Sequence, residues 1–168
     1  MKILKKGLNA ITDETIAKVV GFLFLAGVVV AGVVLNGKIG STTMVNAMST
    51  LLNEAKGLRT SAGYGTGDLT PALIRSKSIQ KGLKIDGDKL YNPTNGPVTI
   101  TGSGMTFTLA TSKVKDEDCM KLATTLSGAD IESMKINSGS TVTSEMSQID
   151  AANQCNAGKE NTISITSY

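Results

Sequence analysis

The hydropathy pattern divides the chain sharply. From Val19 to Leu35, 17 residues pass without a charged or hydrogen-bonding side chain. As a helix at about 1.5 Å per residue the run extends about 25 Å, the short end of what spans a bilayer. Ile16 and Ala17 lengthen it, with Lys18 able to snorkel. A core helix of a soluble domain would carry one polar stripe, and this run has none. Gly21, Gly27 and Gly32 allow close approach of a neighbouring helix. The pattern then changes without a small-residue cleavage site of the secretory kind. Met44, Met48, Leu51, Leu52, Ala55 and Leu58 recur on one helical face, with Thr43, Asn46, Thr50 and Asn53 between them. One long helix is predicted, apolar all round in its first half and amphipathic in its second. Gly37 and Gly40 weaken the junction, and the helix should stop near Gly57–Gly63.

Beyond Asp68 the period shortens. Thr70 as N-cap and Pro71 behind it predict a short helix. Extended segments follow at 82–87, 88–92, 97–102 and 105–110, the last two alternating polar and apolar positions as half-buried antiparallel strands do. Gly102–Ser103–Gly104 is the expected hairpin turn, and Asn92–Pro97 a turn-rich connection. Lys115–Leu126 returns to helix, with Asp116, Glu117 and Asp118 at the positive end of its dipole and Cys119, Leu122, Ala123 and Leu126 as its buried stripe. After a polar stretch, 161–168 alternates again and should be a strand. The expected fold class is α+β, a long N-terminal spine helix packed on an antiparallel sheet.

Composition narrows the chemistry. The sequence lacks histidine and tryptophan, so nucleophile–His systems and the commonest metal ligand are missing. No catalytic, cofactor-binding or metal-ligating set stands out, and an enzyme is not expected. The acidic trio is read as a solvated helix start. Net charge is only +3, Lys2, Lys5 and Lys6 supply much of the excess, and aromatics are 4%, so no nucleic-acid partner is expected. If the second half lies outside the cytoplasm, Cys119 and Cys155 form one disulfide; in a reducing compartment they are two separate thiols. Closing that loop is worth about 3–4 kcal/mol in the chain-entropy model.

With these residues in view, the chain resembles the type IVb pilins, and among them the PilS-type pilins of bundle-forming and plasmid-encoded thin pili. The basic stretch Met1–Gly7 followed by Leu8 resembles a prepilin leader and processing site. The Asn92–Pro97 turn, the cysteine-bearing helix from Cys119 and a second cysteine, Cys155, near the last strand follow the family's order. The resemblance implies a leader at 1–7, a hydrophobic N-terminal helix at 8–36 and a globular pilin domain at 37–168, with the Cys119–Cys155 disulfide bounding the C-terminal region. It also implies prepilin peptidase cutting between Gly7 and Leu8. The precursor would sit in a bacterial inner membrane with its domain outside, as the positive-inside rule asks of Lys2, Lys5 and Lys6. The apolar helices would then bundle into a helical homopolymer, an extracellular pilus used in adhesion, aggregation or conjugative mate contact. Its partners would be an assembly ATPase, a platform protein, a secretin and a receptor on another cell.

One departure concerns assembly. The family's Glu at the fifth mature position falls on Thr12 here, followed by Asp13 and Glu14. Either acid could meet a neighbour's N-terminal amine in a shifted register, or the pairing is absent, as in some minor pilins. A minor pilin or pseudopilin is therefore the second reading, and a membrane-anchored extracytoplasmic binding domain the third. The Ser/Thr/Gly-rich stretch 127–148 is the expected exposed, contact-making face.

Overall fold

The computed structural model describes residues 44–79, 82–158 and 160–168. All belong to one unit, Gly40–Tyr168. The leader, the apolar run and the positions Gly7, Leu8, Thr12, Asp13 and Glu14 lie outside the described residues, as do Gly37 and Gly40. Among the described residues no helix is long and apolar enough to cross a membrane.

Helix α1 is helical over 44–56. Met44, Met48, Leu51, Leu52 and Ala55 are buried as their spacing predicts, together with Ala47, while Asn46 and Asn53 are exposed. Leu58, beyond the helix end, is only partly buried. The other elements are β1 (Gly65–Asp68), α2 (Thr70–Arg75), β2 (Lys84–Asp86), β3 (Lys89–Tyr91), β4 (Pro97–Gly104), β5 (Thr106–Val114), α3 (Asp116–Leu126), β6 (Ser133–Ile136), α4 (Gln148–Gln154) and β7 (Asn161–Ser167). The strands form one antiparallel sheet in the order β2-β3-β4-β5-β7-β6, with β1 also paired to β4. Val98, Ile100, Phe107, Leu109, Ile163, Ile165, Met134 and Ile136 bury one face in a continuous core with the α1 stripe. Each such side chain contributes roughly 1.5–3 kcal/mol on burial.

Local details differ from the sequence reading for physical reasons. Thr70 is not the cap of α2. The cap position is Leu69, the Asp68 carboxylate accepts the Thr70 N–H at 2.9 Å, and the buried Thr70 hydroxyl accepts the Ile100 N–H at 3.2 Å. The β4–β5 turn falls two residues later than expected. β1 lies beside β4 with Gly67 opposite Gly102, which keeps Gly102 and Ser103 in the ladder; Ser103 and Thr106 form the last β4–β5 pair. The polar stretch is not one exposed loop: β6 buries Met134 and Ile136, Met146 is buried, and α4 follows.

Strand β5 carries a bulge between Thr111 and Val114, with Lys113 at φ 54°. A bulge withdraws carbonyls from the ladder, and each needs another donor. The Asn92 amide donates to Ser112 O at 2.7 Å and to the Thr111 hydroxyl at 2.9 Å; the Thr94 hydroxyl donates to Lys113 O at 2.7 Å. The Asn92 Oδ1 also accepts from Thr94 N and Gly96 N, and lies 2.8 Å from the Thr94 hydroxyl, whose single hydrogen serves either it or Lys113 O. The Asn-Pro turn is thereby fastened to the bulge by one buried side chain.

Candidate assembly and contact surfaces

Helix α3 begins beside the loop that leads into β7. Asp116 accepts the Gly158 N–H at 3.0 Å and the Glu117 N–H at 2.9 Å, and these donors hold its carboxyl below the usual carboxylate range. Glu117 pairs with Lys121 one turn on, at 2.6 Å. Asp118 departs from the picture of a solvated trio: it is buried, and its Oδ1 has no hydrogen-bond partner. Among the described residues no three His, Cys, Asp or Glu side chains converge as a metal site.

One turn into α3, Cys119 is joined to Cys155 at the end of α4, with Cα atoms 6.0 Å apart. The bond closes a segment containing β6 and α4. Helix α4 starts at Ser147, whose hydroxyl accepts the Asp150 N–H at 3.2 Å. Two asparagines, Asn137 inside the segment and Asn161 at the start of β7, carry the polar load. Asn161, fully buried, accepts from Asn156 N at 2.7 Å and from the Asn137 amide at 2.8 Å, and donates to Val114 O at 3.3 Å, the next bulge carbonyl. Asn137, at φ 52°, accepts the Thr162 N–H at 2.9 Å and donates to Gln154 O at 3.0 Å. Lys56 of α1 donates to Asp130 O and approaches its carboxylate at 3.6 Å, tying the helix to the same region. Sequence reasoning found the two cysteines. It missed Asn137 and Asn161, whose partners are distant in sequence, and α4, which the Ser147–Asp150 spacing could have revealed.

The two edges of the sheet differ in charge. From Leu69 to Tyr91, the stretch holding α2, β2 and β3, the sequence has five cations (Arg75, Lys77, Lys81, Lys84, Lys89) against two carboxylates. From Asp116 to Glu160, the disulfide-bounded side, it has eight carboxylates against three lysines. Lys84 and Lys89 are exposed on the first edge, Glu132, Glu145 and Asp150 on the second. Each side also exposes one large apolar residue: Ile85 at 46% and Ile149 at 74%. The sheet order puts β2 and β6 at opposite ends, so the two surfaces lie on opposite flanks of one domain.

A family model described as PilS N terminal matches residues 38–168. No curated protein matches the chain. Among solved structures, the type IV b pilin from Salmonella typhi superposes with a TM-score of 0.64 at 21% identity, over 76% of this chain and 98% of that one. TcpA, a type IV pilin from Vibrio cholerae El Tor biotype, does so at 0.54 and 12% identity, over 77% and 99%. At these identities the likeness is one of fold.

Proposed function

This chain belongs to the PilS N-terminal family and has the type IV pilin fold, and from that premise we propose that it is the structural subunit of a type IVb pilus. In this reading prepilin peptidase removes residues 1–7 after Gly7, Leu8 becomes the new N-terminus, and residues 8–36 hold the precursor in the inner membrane and later form the filament core. Asp13 or Glu14 stands in for the acid that Thr12 replaces, facing a neighbour's N-terminal amine. An unpaired carboxylate there would cost several kcal/mol. An ATPase, platform and secretin drive assembly, and the filament serves contact with other cells.

The observation that supports polymerisation through the domain is the opposite charge of the two flanks. A positive flank meeting a negative one is a heterologous contact, and such contacts propagate when the rotation does not close. The exposed Ile85 and Ile149 supply an apolar point inside each flank.

Two measurements on filaments sheared from cells test this. Lys84→Glu alone, or Glu145→Lys alone, should lower filament yield at least about threefold, the effect of losing one favourable surface pair per contact; the double exchange should recover part of it. Yields unchanged in both single variants would remove the flanks from the interface. On the same preparation the intact mass should be that of Leu8–Tyr168, with or without a methyl group. Finding the protein only as full-length chain in the membrane fraction would sink the pilus reading and leave an anchored domain. A filament in which this subunit is scarce beside another pilin would favour the minor-pilin reading that Thr12 raises.

A further inference from the structure

The face of the sheet turned away from α1 is built of small hydroxylated residues. Pairing aligns Thr101, Thr108, Thr166 and Ser133 in one row across four strands, and Thr99, Ala110, Ser164 and Lys135 in the next. Thr108 and Thr166 touch through their hydroxyls at 3.3 Å. Ala110, the shortest side chain in its row, leaves a dip there. Pro97, Ser112, Thr162 and Asn137 form the far wall of a trough of about 250 Å³ that runs across the strands rather than along them. A second hollow, about 460 Å³, shares Pro97 and Thr99 with it and continues over β3 past Tyr91 to Lys89. At about 4.8 Å per strand, the two adjoining hollows span the five strands from β6 to β3, a channel roughly 19 Å long.

We propose that this channel binds an acidic oligosaccharide, with a sugar carboxylate at Lys135. Three properties select that chemistry. The hydroxyls of Thr99, Ser112 and Ser164 have no hydrogen-bond partner among the described residues, so they are open to a hydroxyl-bearing ligand. The floor of Ala110, threonine methyls and the Pro97 ring is apolar but shallow, which suits the C–H faces of a sugar ring better than a bulky apolar side chain. No carboxylate lines the β4–β6 half, and Lys135 is exposed and without an ion-pair partner among the described residues. The charge there is uncompensated and points to an anionic group. Asp68 and Asp88 line the β3 half beside Lys89, where carboxylates can accept from neutral sugar hydroxyls. The inference goes beyond polymerisation and does not depend on it, since one subunit contains the whole channel.

The test is titration calorimetry of the full chain in detergent micelles with tetramers of galacturonic acid, galactose and glutamate. The galacturonate tetramer should bind. Lys135→Gln should weaken it at least about tenfold, the loss expected of one charge-assisted hydrogen bond. Ala110→Leu, which fills the dip on a solvent-facing strand position, should abolish binding; an unchanged circular dichroism melt confirms that the variant is folded. No binding of galacturonate, or binding indifferent to both substitutions, overturns the proposal. Equal binding of the glutamate tetramer overturns the sugar assignment, and equal binding of the galactose tetramer overturns the role given to Lys135.

Discussion

Replacing both Cys119 and Cys155 with serine should cost about 3–4 kcal/mol of folding stability, read as a drop in the denaturation midpoint of the full chain in detergent. The bond links residues 36 apart, and the entropy it removes from the unfolded chain scales with the logarithm of that loop. Cys119 is fully buried, so a serine hydroxyl placed there adds a desolvation cost of its own. The damage should also be uneven. Asn137 and Asn161 still fasten the segment to β7 and to the bulge, so faster amide exchange should appear first in α4 and around Asn156, while β4 and β5 stay protected. A loss under about 1 kcal/mol would mean that the asparagine network already holds the segment as tightly in the absence of the covalent link.

The second large effect belongs to Gly96. A Cβ built there would lie 1.8 Å from Ser112 O and 2.6 Å from the Asn92 amide nitrogen. Both are fixed: one is strand backbone, and the other is bonded on every side. Gly96→Ala must therefore push the turn off the bulge, leaving Ser112 O and Lys113 O without donors. A loss of about 3 kcal/mol is expected, at the upper end for overpacking at a rigid site. Asn95→Gly next door is the control. Asn95 already sits at φ 58°, a conformation glycine adopts freely, so that change should stay within about 1 kcal/mol. If the two variants melt alike, the close approach at Gly96 is not what holds the turn.

These two sites mark where the sequence could be read and where it could not. The α1 stripe, the alternation in β4, β5 and β7, and the buried face of α3 are local periodicities, and each was visible because burial repeats at a fixed spacing. Strand β1 has no such signal. Its Gly-Thr-Gly-Asp sequence has little strand propensity, with Gly65 and Gly67 at positive φ; it is extended because β4 offers it a ladder. Strand β6 spans four residues inside a serine- and glycine-rich stretch, too short to stand out although Met134 and Ile136 alternate. The roles of Asn92 and Asn161 are long-range: their side chains reach 20 and 47 residues away to carbonyls freed by a bulge that no local rule predicts. The cysteines were legible as a pair because there are only two. The expected processing and assembly positions, from Gly7 to Glu14, rest on family resemblance, and the intact mass tests the first of them.

The position of β7 bears on how the domain is made. It is the last strand in the chain, yet it sits between β5 and β6 rather than at an edge. Until it is delivered, β6 lacks its principal neighbour, the inner ladder of β5 is unsatisfied, and Asn161 is not there to close the bulge. A chain folding from its N-terminal side would therefore hold an incomplete sheet until residues 161–167 had joined it. The disulfide-bounded flank, which leans on β7 through β6 and Asn161, is therefore the last part of the domain to take its final form.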